Sequence, residues 1–178
     1  MTRALRFAAA FACLLAAPAQ AEPVCEGQLE VRIGGAFTAR VGPPARQSCE
    51  GGPRPDDDGL RVAYRSVVIE NGDSLLVILG LQDLERGQTG ARLPLNVTVV
   101  REGKGEFFGT RGPDLCTADL TVHEPAGDPD LWRLAGEGRC HGALQAVARE
   151  GEITLAPFRF SAVVSREVAD EEVLRVRP

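Results

Sequence analysis

The sequence predicts an all-β protein: an antiparallel β-sandwich, or a flattened barrel, of about eight to ten short strands stapled by disulfides. Three observations carry this. Apolar and polar residues alternate with a period of two along most of the chain. Clusters of Gly, Pro, Asn and Asp interrupt the alternation at regular intervals. Finally, Cys116 and Cys140 bracket a segment that reads as one hairpin closed at its open end.

The first residues, Met-Thr-Arg-Ala-Leu-Arg, precede an apolar run from Phe7 to Ala17 and then Pro18-Ala19-Gln20-Ala21. A basic start, a short apolar core and an Ala-x-Ala end read as a secretory signal peptide over 1–21, cleaved before Glu22. The apolar run is shorter than the ~20 residues a spanning helix needs. It also continues past Cys13, so a lipid on that residue is not expected. No other apolar run is long enough, and the expectation is a mature chain without a transmembrane segment, periplasmic or secreted. A single domain is expected over 22–164, with a charged, flexible tail over 165–178.

Leu29, Val31 and Ile33 alternate with Gln28, Glu30 and Arg32, and Phe37, Ala39 and Val41 keep the same parity past Gly34-Gly35. A three-residue loop, Gly34 to Ala36, would place Ile33 opposite Phe37 and Leu29 opposite Val41. It is favoured over one kinked strand because paired glycines weaken a strand interior. Residues 42–59 read as a long polar loop pinned at Cys49. Asp56-Asp57-Asp58-Gly59 lacks the alternate acids and closing glutamate of a calcium loop and reads as a solvated turn.

Leu60, Val62 and Tyr64 begin a strand that ends before Asn71-Gly72-Asp73, a strong turn signal. Ser74 to Leu81 is a continuous apolar run, which predicts a central strand covered on both faces. Gln82 to Gly90 reads as a polar loop. Leu93, Leu95, Val97 and Val99 alternate with polar residues, and Pro94 predicts an edge or a bulge. Gly103-Lys104 suits a type II′ turn that pairs Arg101 with Glu106, Val100 with Phe107 and Val99 with Phe108.

In the central hairpin, Cys116 opposite Cys140 puts Ala118 opposite Gly138, Leu120 opposite Gly136 and Val122 opposite Leu134. These are the apolar sets of the two strands, and a one-residue slip would destroy the match. The glycines leave room for side chains of a facing sheet. Gly142 to Ala148 reads as a short strand or a helical turn. Ile153 and Leu155, then Phe158, Phe160, Ala162 and Val164, predict two further runs separated by a bulge at Pro157.

Four cysteines follow the signal peptide. The sequential pairing, Cys25 with Cys49 and Cys116 with Cys140, is expected, because the second pair has register support and an exported chain meets an oxidising compartment. No Cys-x-x-Cys occurs, which argues against thioredoxin-like chemistry and zinc ribbons. Loss of Arg3 and Arg6 with the signal peptide moves the net charge from −5 to −7, which disfavours nucleic acid as a partner. Lys104 is the only lysine beside many arginines, a bias associated with GC-rich bacterial genomes.

No catalytic residue, cofactor or metal ligand is expected. His123 and His141 lie about seven strand steps apart on this register, roughly 23 Å, too far to share a metal, and each reads as a surface histidine. No nucleophile motif of the Gly-x-Ser-x-Gly kind occurs. Asp119 falls opposite Glu137 on the polar face, a pairing that reads as a charge ladder answered by Arg139 and Arg133, or alternatively as an acid–base pair. Val100 and Phe107 fall on the solvent face with Asn96 and Thr98, which makes them the candidate partner contact. The expected function is therefore a non-enzymatic binding or structural module of the bacterial envelope, taking a protein partner or small ligand. The alternatives are a carboxylate-dependent hydrolase and an inhibitor presenting the 42–59 loop.

Overall fold

The computed structural model describes residues 26–43, 47–54, 59–67, 74–112 and 114–165. Twelve strands lie in it: β1 (Gln28–Gly35), β2 (Ala39–Val41), β3 (Gln47–Pro53), β4 (Leu60–Val67), β5 (Ser74–Leu81) and β6 (Gly90–Arg101), then β7 (Glu106–Gly109), β8 (Cys116–Pro125), β9 (Leu131–Cys140), β10 (Leu144–Ala146), β11 (Glu152–Leu155) and β12 (Phe158–Ser165). Their pairings are antiparallel and form one sheet. Among the described residues there is no α-helix.

Two strands organise the pairing. β6 carries β8 along its first half and β7 along its second, so the chain from Glu106 to Leu120 follows one neighbour around a corner. β1 does the same with β12 and β11. The corner between these is Ala156-Pro157: proline has no N–H to give a ladder, and the Ala156 N–H reaches the Arg32 carbonyl at 3.0 Å. Since β8 pairs β9, β9 pairs β12, β11 pairs β10 and β10 pairs β7, the path closes on itself. The meander β3–β4–β5 extends the sheet beyond β6.

The far end of that meander returns to β1. The Gln47 side-chain amide takes the place of a strand there, accepting the Leu29 N–H at 2.9 Å and donating to the Leu29 carbonyl at 2.7 Å. Inside, one continuous core takes Leu29, Val31 and Ile33 from β1, Val77 and Leu79 from β5, Leu95, Val97 and Val99 from β6, and Phe158, Phe160 and Ala162 from β12. The alternation seen in the sequence is thus the inward face of each strand.

The structure corrects several expectations. Among the described residues there are twelve strands rather than eight to ten, and one extra strand, β3, lies inside the supposed 42–59 loop. Gly51 explains why that stretch looked like a loop: it packs so tightly on Val164 that a Cβ would collide with that side chain. The first hairpin exists, but Val41 faces Val31 rather than Leu29. The slip is two residues, which preserves the buried face. β5 is buried on one face only, with Leu76 and Ile78 half-buried on the other. The β6–β7 connection keeps the predicted pairs but is a 3₁₀ turn over Glu102–Lys104, with Gly105 rather than Gly103 taking positive φ, at 63°. Gly142 to Ala148 contains a strand, β10.

In the central hairpin Cys116, Ala118, Asp119 and Leu120 face Cys140, Gly138, Glu137 and Gly136 as predicted. A bulge then intervenes between Leu120 and Val122. Val122 therefore meets Ala135, and His123 takes the place opposite Leu134. The space over Gly136 and Gly138 is filled by Phe160 and Phe158, which come from the adjacent strand β12 and not from a facing sheet. Of the edge or bulge expected at Pro94, a bulge is found just before it: β6 shifts register between Gly90 and Leu93, Arg92 has φ 58°, and Pro94 itself pairs in register with Thr117. The signal peptide, Cys25, Asp56 to Asp58, Asn71-Gly72-Asp73 and the tail beyond Ser165 lie outside the described residues.

Candidate functional site

The outer face of β5, β6 and β7 carries an unbroken apolar row. Leu76 faces Val100, and Val100 faces Phe107. Val147, immediately after β10, extends the row by donating its N–H to the Phe107 carbonyl at 2.9 Å. Exposure rises from Val100 onward: Val100 is 8 % exposed, Phe107 48 % and Val147 70 %. Val100 is thus buried, against the expectation that it faces solvent, because it lies between Leu76 and Phe107. Phe107 itself stands where the sequence put it. The sequence reading missed Leu76 and Val147. Leu76 was hidden in a run apolar on both faces, and Val147 becomes legible only once β10 is recognised as the next neighbour of β7.

The strand beneath the row is firmly held. Glu106 bridges two arginines, Arg149 at 2.8 Å and Arg101 at 3.5 Å. Arg101 lies over the Phe37 ring at 5.1 Å, and Phe37 packs on the buried Phe108 at 5.7 Å. At the turn, Glu102 receives the Ser74 hydroxyl and the Arg65 Nε–H at 3.0 Å. These hydrogen bonds, Ser74's first, hold the Glu102 carboxyl below the usual carboxylate range, and slight burial opposes them. Phe107 is therefore displayed from an anchored hairpin rather than from a loose loop.

The carboxylates of the central hairpin form a ladder. Asp119 does face Glu137, and Arg159 of β12 extends the row to Glu30 of β1. Arg139 answers Asp119 at 3.0 Å as expected, but Glu137 is answered by Arg159, also at 3.0 Å, and Arg133 pairs instead with Glu124. The second oxygen of Asp119 accepts the Arg92 N–H at 2.8 Å and so holds the β6 bulge. Both carboxylates thus have positional work to do. Each is matched to its own guanidinium.

His141 is exposed, as predicted. His123 is not: it is 5 % exposed, packs tilted against Trp132 at 4.9 Å between centroids, and sets Nδ1 3.1 Å from the Gln88 carbonyl. The extra residue of the bulge turned it inward. The Cys116–Cys140 disulfide is present, and Cys49 is also disulfide-bonded. Among the described residues no group of three or more His, Cys, Asp or Glu side chains is placed to hold a metal, and no helix is long and apolar enough to cross a membrane. Comparison with protein-family models, curated proteins and solved structures returned no match.

Proposed function

We propose that the chain is an exported bacterial binding module, a non-enzymatic β-sandwich or flattened barrel whose apolar row docks a protein partner in the cell envelope. The observation that carries this reading is the row itself. A half-exposed phenylalanine and a largely exposed valine stand in line on an anchored sheet face, where singly scattered apolar residues are the norm. Aromatic side chains presented from a rigid support lose little entropy on contact. The pairing of Asp119 and Glu137 with separate arginines weighs against the hydrolase reading, and the strand β3 within 42–59 weighs against the inhibitor reading.

Export through a signal peptide over 1–21, with a mature chain starting at Glu22 and found in periplasm or medium, belongs to the same proposal. The disulfides are in keeping with it. Intact mass of the exported protein tests the cleavage, and a lipid-modified species starting at Cys13 overturns it. The docking face is tested by a photo-crosslinking residue at Phe107 or Val147 in the exporting host, with Arg133 as the control site. A discrete adduct from the first two and none from the control is expected. Equal labelling at all three sites, or none, removes the row as an interface.

A further inference from the structure

Arg32 of β1 stands directly opposite Arg40 of β2. Both are exposed, since the alternate residues Val31, Ile33 and Val41 fill the core. Side chains opposed in this way have Cβ atoms about 5 Å apart, and like charges there are destabilising. The other like-charged pair of the sheet, Asp119 with Glu137, is compensated by Arg139 and Arg159. Arg32 and Arg40 have no such answer: neither takes part in an ion pair among the described residues. The short edge strand β2 accounts for one arginine, because charge on an edge discourages pairing with another chain. It does not account for a second arginine facing the first.

The two guanidinium groups also share a cleft. It measures about 620 Å³ and is lined by Glu30, Arg32, Arg40, Glu137, Pro157 and Arg159 among others. That volume lies in the range of small-molecule sites, roughly 300–1,000 Å³. Glu137 and Arg159 neutralise each other at 3.0 Å, which leaves Glu30 against two arginines. The cleft thus carries one surplus positive charge in a protein whose net charge is −5.

We propose that this cleft binds a small polyanion, with Arg32 and Arg40 clasping a carboxylate or phosphoryl group between them. Guanidinium groups suit that task because their planar donors meet oxyanions in pairs. Bound anion relieves the repulsion that the empty pair bears. Glu30 lines the same cleft and can accept a hydroxyl donor of the ligand, such as the one citrate carries. A pair of residues that costs stability by itself and gains its partner only on binding is what a binding site produces at the expense of local consistency.

Citrate and pyrophosphate serve as probes, followed by calorimetry and by the arginine side-chain N–H resonances, on the full mature chain. Saturable binding of at least one probe is expected, shifting the Arg32 and Arg40 signals. Affinity should fall at least tenfold in Arg32→Gln and in Arg40→Gln and stay unchanged in Arg133→Gln, whose guanidinium is paired elsewhere. Preference for pyrophosphate assigns a phosphoryl ligand and preference for citrate a carboxylate, and either supports the site. Without probe, Arg40→Gln should melt at the wild-type temperature or above it, since a repulsion is removed. Absence of saturable binding, unchanged affinity in both variants, or a lower melting temperature in Arg40→Gln overturns the proposal and leaves the arginines as edge protection alone.

Discussion

The Tyr64 hydroxyl donates to the Ser161 carbonyl at 2.9 Å, joining β4 to β12 across 97 residues of sequence. Tyr64 is fully buried, and burial drives its ionisation far above the ordinary tyrosine range. Tyr64→Phe keeps the ring and removes the donor. Leaving a buried carbonyl short of a partner costs about 1–3 kcal/mol, so chemical denaturation should show a lower midpoint with an unchanged slope. The chain has one tyrosine, which makes its ionisation directly visible in the ultraviolet. The unfolded chain loses this proton near pH 10, while the folded chain keeps it. Stability should therefore fall as pH rises past about 10, and tyrosinate absorbance should appear together with unfolding. Tyrosinate formed in an intact fold near pH 10 would contradict the burial.

The Cys116–Cys140 bridge spans a sequence separation of 24, and a loop of that size is worth roughly 3.5 kcal/mol in the chain-entropy model. Cys116→Ser with Cys140→Ser should lower stability by about that amount and leave the fold standing. The hairpin keeps its own ladder from Thr117 to Pro125, and β9 remains bound to β12 along eight residues. Retention of the far-ultraviolet spectrum and of a cooperative transition at lower denaturant is the expected result. Single replacements should fare worse, because the remaining thiol can exchange with the other cysteines. Non-reducing peptide mapping reads the pairing directly, including that of Cys25 and Cys49.

What the sequence revealed and what it concealed divide along a physical line. Pairings set by two apolar sets meeting on one face were legible: Cys116 with Cys140, Leu120 with Gly136, Val99 with Phe108. Period two makes a wrong register expensive at those positions. Bulges were harder, since one extra residue reverses the facing without any change in composition. The bulge after Leu120 hid the burial of His123 beside Trp132 in this way. Tandem pairing was illegible for another reason. Nothing in Ile153 to Val164 says that both halves lie along β1, because that is decided by which long strand lies alongside. The Arg32–Arg40 pair follows from the first hairpin, but only with its true register: the predicted one, two residues away, set Arg32 opposite Thr38.

Glu102 ties the β6–β7 turn to Arg65 of β4 and Ser74 of β5. Its carboxyl is held below the usual range by those partners. A depressed folded value means that the stabilisation is complete above the unfolded value, about 4.3, and is lost as pH falls through the lower folded one. The acid limb of a melting-temperature profile should thus be less steep in Glu102→Gln than in wild type, with the two curves converging at the lowest pH. The effect should be small and should shrink in salt, because Arg65 is half exposed and the pair is screened. Parallel curves at every pH would remove Glu102 from the acid response.

Phe107 and Phe108 are neighbours in sequence and opposites in structure. Phe107 is 48 % exposed on the outer row, while Phe108 is fully buried against Phe37. Truncating a core phenylalanine costs about 3–5 kcal/mol, so Phe108→Ala should bring the chain close to unfolding, given the roughly 5–15 kcal/mol that domains possess. Phe107→Ser removes a ring that already meets water over half its surface. Its cost should stay near or below about 1 kcal/mol, as for exposed positions generally, while crosslinking to the proposed partner should be lost. The two variants thus separate folding from docking at adjacent positions. A Phe107→Ser protein that melts as early as Phe108→Ala would show that the row supports the fold itself, and the interface reading would fall with that result.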